Sequence, residues 1–107
     1  MQKIQSVNIE DESIRRSAVI AKALGHPARI AILKILTQRE TCFCGDITEI
    51  IPLAQSTVSQ HLKALKKAGL ITGTVEGVKT CYCLNPEGVK ELDDLLSELS
   101  NELITCC

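Results

Sequence analysis

The chain has 107 residues, 45% of them hydrophobic, and a formal net charge of −1, which fits one globular domain over residues 1–107. Only Phe43 and Tyr82 are aromatic, so the core must consist of aliphatic side chains, which favours packed helices over a sandwich or barrel. No apolar run is long enough to span a membrane and no signal peptide opens the chain, so we expect a cytoplasmic protein without membrane contact. A charge this close to zero does not by itself indicate nucleic-acid binding.

Helical periodicity and boundary residues divide the first two thirds of the chain into helices. Proline is tolerated at the first position of a helix, and glycine favours the left-handed conformation after the last. The predicted elements are a flexible segment over 1–8, a helix from an Asn8 cap to Gly25, a helix from Pro27 to Gln38, a connection over 39–45, a short helix over 46–51, a turn over 52–54 and a helix from Ser56 to Lys67.

The hydrophobic period then changes from the helical 3.6 to 2, which predicts a β-hairpin. Its strands are expected over 70–75 and 78–84, with residues 76–77 at the tip. A hairpin that directly follows two helices joined by a tight turn is typical of a winged helix-turn-helix. The expected fold is therefore mainly α with a β-hairpin, in the winged helix-turn-helix arrangement.

A last helix is predicted to begin at Pro86, and its apolar stripe exceeds what one small domain can cover. A flexible cysteine-bearing tail over 104–107 is expected to follow it. We therefore expect a homodimer in which the stripe is buried. The stripe consists of Val89, Leu92, Leu95, Leu96, Leu99 and Leu103.

The predicted helix over 56–67 has an apolar face, formed by Val58, Leu62 and Leu65, and an opposite face that is polar and carries no acid. Hydroxyl and amide side chains can reach base edges in a major groove, and lysines can neutralise phosphates. This pattern predicts binding to double-stranded DNA. The candidate DNA-binding residues are Gln55, Ser56, Thr57, Ser59, Gln60, His61, Lys63, Lys67 and, in the hairpin, Lys79.

Two other interpretations of this helix are a plain amphipathic helix with a solvated face and a protein-interaction dimer without DNA. The short helix, the proline turn, the glycine cap and the following hairpin together favour DNA. The predicted last helix, by contrast, is acidic, because residues 86–107 contain six acidic side chains and only one lysine.

Six cysteines occur as three close pairs, and in a reducing compartment they are expected to be thiols, metal ligands or redox sensors rather than structural disulfides. Cys81 and Cys83 are expected on one face of their strand. They could form a second two-thiol site, but we favour a small buried side chain at 81 and an exposed strand residue at 83. The remaining pairs are Cys42 with Cys44 and Cys106 with Cys107.

Three stretches, residues 23–33, 55–65 and 68–71, resemble the ArsR/SmtB family of bacterial metal sensors, of the arsenical-resistance repressor type. The resemblance implies a homodimeric repressor that dimerises through its first and last helices and releases its operator when an inducer binds. It implies no enzyme, and the Cys-x-x-Cys signature of thiol reductases is absent from the sequence.

The resemblance also bears on the inducer. Zinc-type members carry Asp and His on the last helix, but here that helix has no histidine. Arsenite-type members carry Cys-x-Cys at the start of the helix before the recognition helix, and Cys42 and Cys44 match this pattern in type and nearly in place. Because trivalent arsenic or antimony favours three thiolates, a third sulfur is needed, and we expect Cys106 or Cys107, from the same or the partner subunit, to supply it.

Other inducers fit the same cysteines. Cadmium and lead also bind thiolates, and paired cysteines on separate elements suit a repressor that senses thiol oxidation or persulfide. No organic cofactor is expected.

Overall fold

The computed structural model describes residues 4–38 and 42–107 and confirms the predicted winged helix-turn-helix. None of the described helices is long and apolar enough to cross a membrane. The elements are α1 (Glu12–Ala23), α2 (Pro27–Gln38), β1 (Cys42–Phe43), a short 3-10 helix (Ile47–Glu49), α3 (Gln55–Lys67), β2 (Ile71–Glu76), β3 (Lys79–Leu84) and α4 (Pro86–Cys106).

The sheet is antiparallel and has three strands in the order β1-β3-β2. Strands β2 and β3 form the predicted hairpin, which turns at Gly77 with φ +65°. Strand β1 was not predicted, because residues 39–45 were expected to form only a connection. It pairs Cys42 with Cys83 and Phe43 with Tyr82, while residues 39–41 lie outside the described part of the chain.

The core is aliphatic, as predicted, and lies between α2, α3 and the inner side of the sheet. Phe43, Tyr82 and Leu84 of the sheet pack against it. The 3-10 helix adds Ile47, which is 3% exposed, so the segment after β1 is anchored beneath α3. The most deeply buried side chains are Ile20, Ile32, Leu36, Leu65, Leu70 and Ile71.

The end of α3 and the start of α4 meet at Gly69. This residue follows α3 with φ +83°, a left-handed conformation that favours glycine. Its carbonyl oxygen accepts a hydrogen bond from Asn85 Nδ2 at 2.8 Å, and the backbone amide of Asn85 donates to Leu70 O at 2.9 Å. Gly88 of α4 packs so closely on this carbonyl that a Cβ at position 88 would lie 1.8 Å from the oxygen.

Helix α1 lies along α4 and is joined to it by Arg16. The guanidinium Nε donates to Glu91 Oε2 at 3.0 Å, and Nη2 donates to the carbonyl of Ala68 at 3.3 Å. The hydrogen bond from Arg16 lowers the pKa of Glu91. One side chain therefore connects α1, the end of α3 and α4.

Both ends of the chain differ from the predictions. Helix α1 is preceded by Asp11 rather than capped by Asn8, whose Oδ1 accepts from the amide of Glu10 in a turn ahead of the helix. Helix α4 continues through Cys106, where a flexible tail was expected. The C-terminal end of the α4 stripe is exposed, with Leu99 at 46% and Leu103 at 58%.

Candidate functional site

Helix α3 presents the predicted polar face to solvent. Its apolar face is buried as expected, with Val58, Leu62 and Leu65 between 0% and 6% exposed. Thr57 is half-buried, and Lys79 of the wing is exposed. Gln55 and Ser59 line a groove together with Lys79, so the structure brings α3 and wing candidates together. The exposed α3 candidates are Gln55, Ser56, Ser59, Gln60, Lys63 and Lys67.

The prediction that His61 lies on the exposed polar face of α3 and contacts DNA was wrong. It is only 7% exposed, and its Nδ1 accepts a hydrogen bond from Arg29 Nε of α2 at 3.1 Å. The His26 ring lies 4.3 Å away between centroids, at the start of α2. Burial lowers the pKa of His61, and the neighbouring His26 and Arg29 lower it further. This histidine therefore joins α3 to α2 rather than to DNA.

We expect His61 to make the fold less stable in mild acid. Its pKa is lower in the folded than in the unfolded chain, so below the unfolded value of about 6.5 the unfolded state binds the proton first. The contribution of His61 to the free energy of unfolding should be complete above that pH. The free energy of unfolding should then fall as the pH drops towards the folded pKa. Urea unfolding between about pH 5.5 and pH 7.5 measures this, in a range above the titration of ordinary carboxylates.

The matched variant is His61→Asn, whose Oδ1 can still accept the hydrogen bond from Arg29 but cannot be protonated in this range. It should show a flatter pH dependence than the wild-type chain. An equally steep dependence in both proteins would assign the effect to another group.

Four of the six cysteines meet across the sheet. Cys42 is bonded to Cys83 and Cys44 to Cys81, with Cα–Cα distances of 4.0 Å and 4.1 Å. For these four residues the expectation of thiols rather than disulfides was wrong in this structure. The two Cys-x-Cys sequences were the available signal, but pairing them required the unpredicted strand β1.

Strand alternation places these cysteines on the sheet face opposite Phe43, Tyr82 and Leu84, which contact the core. Cys81 is 5% exposed but does not belong to the core cluster, and Cys44 is exposed. The prediction of a buried side chain at 81 was correct. The prediction of an exposed residue at 83 was wrong, since Cys83 is half-buried.

Cys106 and Cys107 are exposed and form no disulfide. Helix α4 starts three residues after Cys83 and, with 21 residues, spans about 32 Å. Three residues reach at most about 11 Å, so at least about 20 Å separates Cys83 from Cys106 in one subunit. Cys42 lies 4.0 Å from Cys83 between Cα atoms, so it is similarly far from Cys106. The expected ligation of one ion by Cys42, Cys44 and Cys106 or Cys107 of the same subunit is therefore not possible in this fold.

In the disulfide-bonded form, the described part of the chain contains no cluster of three or more His, Cys, Asp or Glu side chains suited to a metal ion. Sulfurs in a disulfide are not thiolates, which are the metal-binding form. Any metal binding by these cysteines must therefore follow their reduction.

The segment after Cys44 leads directly to α3. Asp46 Oδ1 accepts from the amide of Thr48 at 2.9 Å, and the hydrogen bonds from Thr48 lower the pKa of Asp46. The 3-10 helix that this bond caps packs Ile47 into the same core cluster as Val58 of α3. Cys44 is therefore connected to α3 through a short segment that packs against it.

Comparisons with known proteins agree with this architecture. Residues 26–72 match the model of the family described as bacterial regulatory protein, arsR family. The chain is 42% identical to the arsenical resistance operon repressor of Bacillus subtilis, over 83% of this chain and 82% of that protein. It is 39% identical to an uncharacterized HTH-type transcriptional regulator of Methanocaldococcus jannaschii, over 82% of this chain and 99% of that protein.

Solved structures show the same fold. HlyU from Vibrio cholerae superposes with a TM-score of 0.66 and 29% identity, covering 83% of this chain and 96% of that one. A possible transcriptional regulator for arsenical resistance gives a TM-score of 0.67 and 26% identity, covering 86% and 95%. The chain is therefore a member of the arsR family of bacterial regulatory proteins, a winged helix-turn-helix transcriptional regulator and not an enzyme.

Proposed function

We propose that the chain is a repressor that binds an inverted-repeat operator as a homodimer, with one α3 helix of each subunit in a major groove. The exposed polar face of α3 carries the proposal, because its three lysines are accompanied by no acid. Gln60 and Ser59 suit base edges, and Lys63 and Lys67 suit phosphates. The homodimer is supported by the exposed C-terminal end of the α4 stripe, at Leu99 and Leu103.

We further propose that trivalent arsenic or antimony is the inducer, bound by cysteine thiolates that include Cys42 and Cys44. The relatives named arsenical resistance operon repressor support this choice. So does the position of Cys44, two residues before the Asp46 cap of the 3-10 helix that packs beneath α3. Ion binding would pull this segment, re-aim α3 and lower operator affinity, which is a coupling free energy between two sites.

A thiol-redox or persulfide-sensing repressor is the second candidate, and the two disulfides favour it. Each disulfide joins β1, which leads to α3, to the wing strand β3. Oxidation of these thiols could therefore change the position of α3 as ion binding would.

A mobility-shift assay on operator DNA separates the two candidates. Reduced protein should bind DNA and release it when titrated with arsenite or antimonite, with cadmium, lead and zinc as further thiophilic ions for comparison. Release by persulfide or by an oxidant, with no response of the reduced protein to arsenite, would support the redox repressor instead. Failure of the reduced protein to bind DNA at all would contradict both.

A further inference from the structure

The two Cys-x-Cys segments form one four-sulfur cluster rather than two separate features. Residues i and i+2 of a strand share a face, so Cys42 and Cys44 face the same side of the sheet, as do Cys81 and Cys83. Antiparallel pairing sets the two segments against each other, with Cα–Cα distances of 4.0 Å and 4.1 Å. The sequence places thiols in pairs, and the sheet brings all four together.

A trivalent arsenic ion favours three thiolates, and Cys42 and Cys44 provide only two. The four-sulfur cluster contains the third. We propose that wing strand β3 supplies it, so that the reduced protein holds trivalent arsenic on Cys42, Cys44 and one thiolate of Cys81 or Cys83, all within one subunit. The inference rests on the proposed function, because it assigns the residues that bind the proposed inducer. A trivalent arsenic ion is soft and matches a thiolate set of this kind.

The alternative donors are less suitable. Cys106 and Cys107 lie at the far end of α4, at least about 20 Å from Cys83 of the same subunit, so they could contribute only from a partner subunit. Cys81 and Cys83 lie directly opposite Cys44 and Cys42 on the neighbouring strand, with no further folding or association needed.

The cluster must be reduced before it binds the ion. A dithiol reductant gives two electrons and two protons to each disulfide, which becomes two thiols while the reductant forms its own disulfide. Arsenous acid then exchanges its three hydroxyl groups for three thiolates, and the three S–H protons leave with those hydroxyls as three water molecules. The oxidised cluster offers no thiolate, so oxidation and arsenic binding exclude each other.

Binding on β3 also gives the ion a second point of action. Cys44 leads to the 3-10 helix under α3, and Cys81 belongs to the strand that begins at Lys79 of the wing. One ion would therefore fix the position of the wing relative to the segment that precedes α3.

The first experiment uses the wild-type protein, so it does not depend on the folding of a variant. Protein reduced with dithiothreitol and freed of it is incubated with arsenite, alkylated with iodoacetamide and mapped by mass spectrometry. Three thiols per subunit should be protected, at 42, 44 and in the peptide that contains 81 and 83. Protection at 106 or 107 in place of the β3 peptide would overturn the proposal.

The second experiment compares the double variants Cys81→Ser/Cys83→Ser and Cys106→Ser/Cys107→Ser, both reduced, with operator affinity before arsenite as the test of folding. The β3 variant should lose more than about tenfold in arsenite affinity, a loss that even outer-sphere partners of a metal typically cause, whereas the α4 variant should match the wild type. Equal arsenite affinity of the β3 variant and the wild type would overturn the ligand set alone. No arsenite binding by the wild type would instead refute the proposed inducer.

If the β3 variant fails to bind operator, Cys83→Ser and Cys81→Ser are measured singly. Each single variant keeps one β3 thiol and so keeps a complete three-sulfur set, and at least one of them should bind arsenite like the wild type. Loss of arsenite affinity in both single variants, or a wild-type protein in which the β3 peptide is not protected, would overturn the proposal.

Discussion

Replacing Gly88 with alanine should destabilise the protein by about 2–4 kcal/mol, although alanine alone is favoured by about 1 kcal/mol over glycine inside a helix. The added Cβ would lie 1.8 Å from the carbonyl oxygen of Gly69, and that oxygen belongs to backbone that cannot rotate away. The start of α4 must therefore move, which weakens the two hydrogen bonds of Asn85 at about 1 kcal/mol each and adds the cost of overpacking.

Urea unfolding at one fixed protein concentration measures this effect, because dimer formation would make stability depend on concentration. Asn101→Ala is the matched control, since Asn101 is exposed on the same helix and alanine there gains helix propensity without a contact. The control should be neutral or slightly stabilising. A Gly88→Ala protein as stable as the control would show that α4 does not sit on Gly69 as described.

The sequence was most informative where a boundary depends on a single residue. Pro27 and Pro86 each begin a helix as predicted, and Gly69 adopts the left-handed conformation after α3. These outcomes follow from local geometry, which proline and glycine restrict or permit without reference to the rest of the chain.

Strand β1 could not be found in this way. It has two residues, too few for an alternating pattern, and it exists because β3 offers an edge for pairing. The prediction of unbonded thiols was wrong for the same reason, since Cys42 and Cys83 are 41 residues apart and only β1 brings them together. Pairing over that distance leaves no signal in the local sequence.

The error at His61 is of another kind. In α3 the positions of Val58, His61, Leu62 and Leu65 form one continuous stripe at spacings of three and four residues. The position of His61 in the helix therefore indicated the buried face of α3, whereas the polarity of its side chain suggested the exposed face. Position was the better guide, because Arg29 satisfies the buried nitrogen.

Removing a lysine from α3 should weaken operator binding and also make it less sensitive to salt. Lys63 and Lys67 are exposed on the face that we propose lies along the DNA, where each would neutralise a phosphate and release counterions. Lys63→Ala should lower affinity at every sequence tested. In a homodimer it should reduce the slope of log affinity against log salt by about 2, roughly one unit per lost contact.

Lys90→Ala is the matched control, since it removes the same charge from an exposed position on α4, where Lys90 pairs with Asp94 at 3.0 Å. Its salt slope should equal that of the wild type. Gln60→Ala provides the contrast, because loss of a base contact should cost about 1–3 kcal/mol on the specific site and leave the slope unchanged. A slope that falls equally for Lys63→Ala and Lys90→Ala would mean that the charge effect comes from the whole molecule rather than from contact along α3, and the proposed docking face would then be wrong.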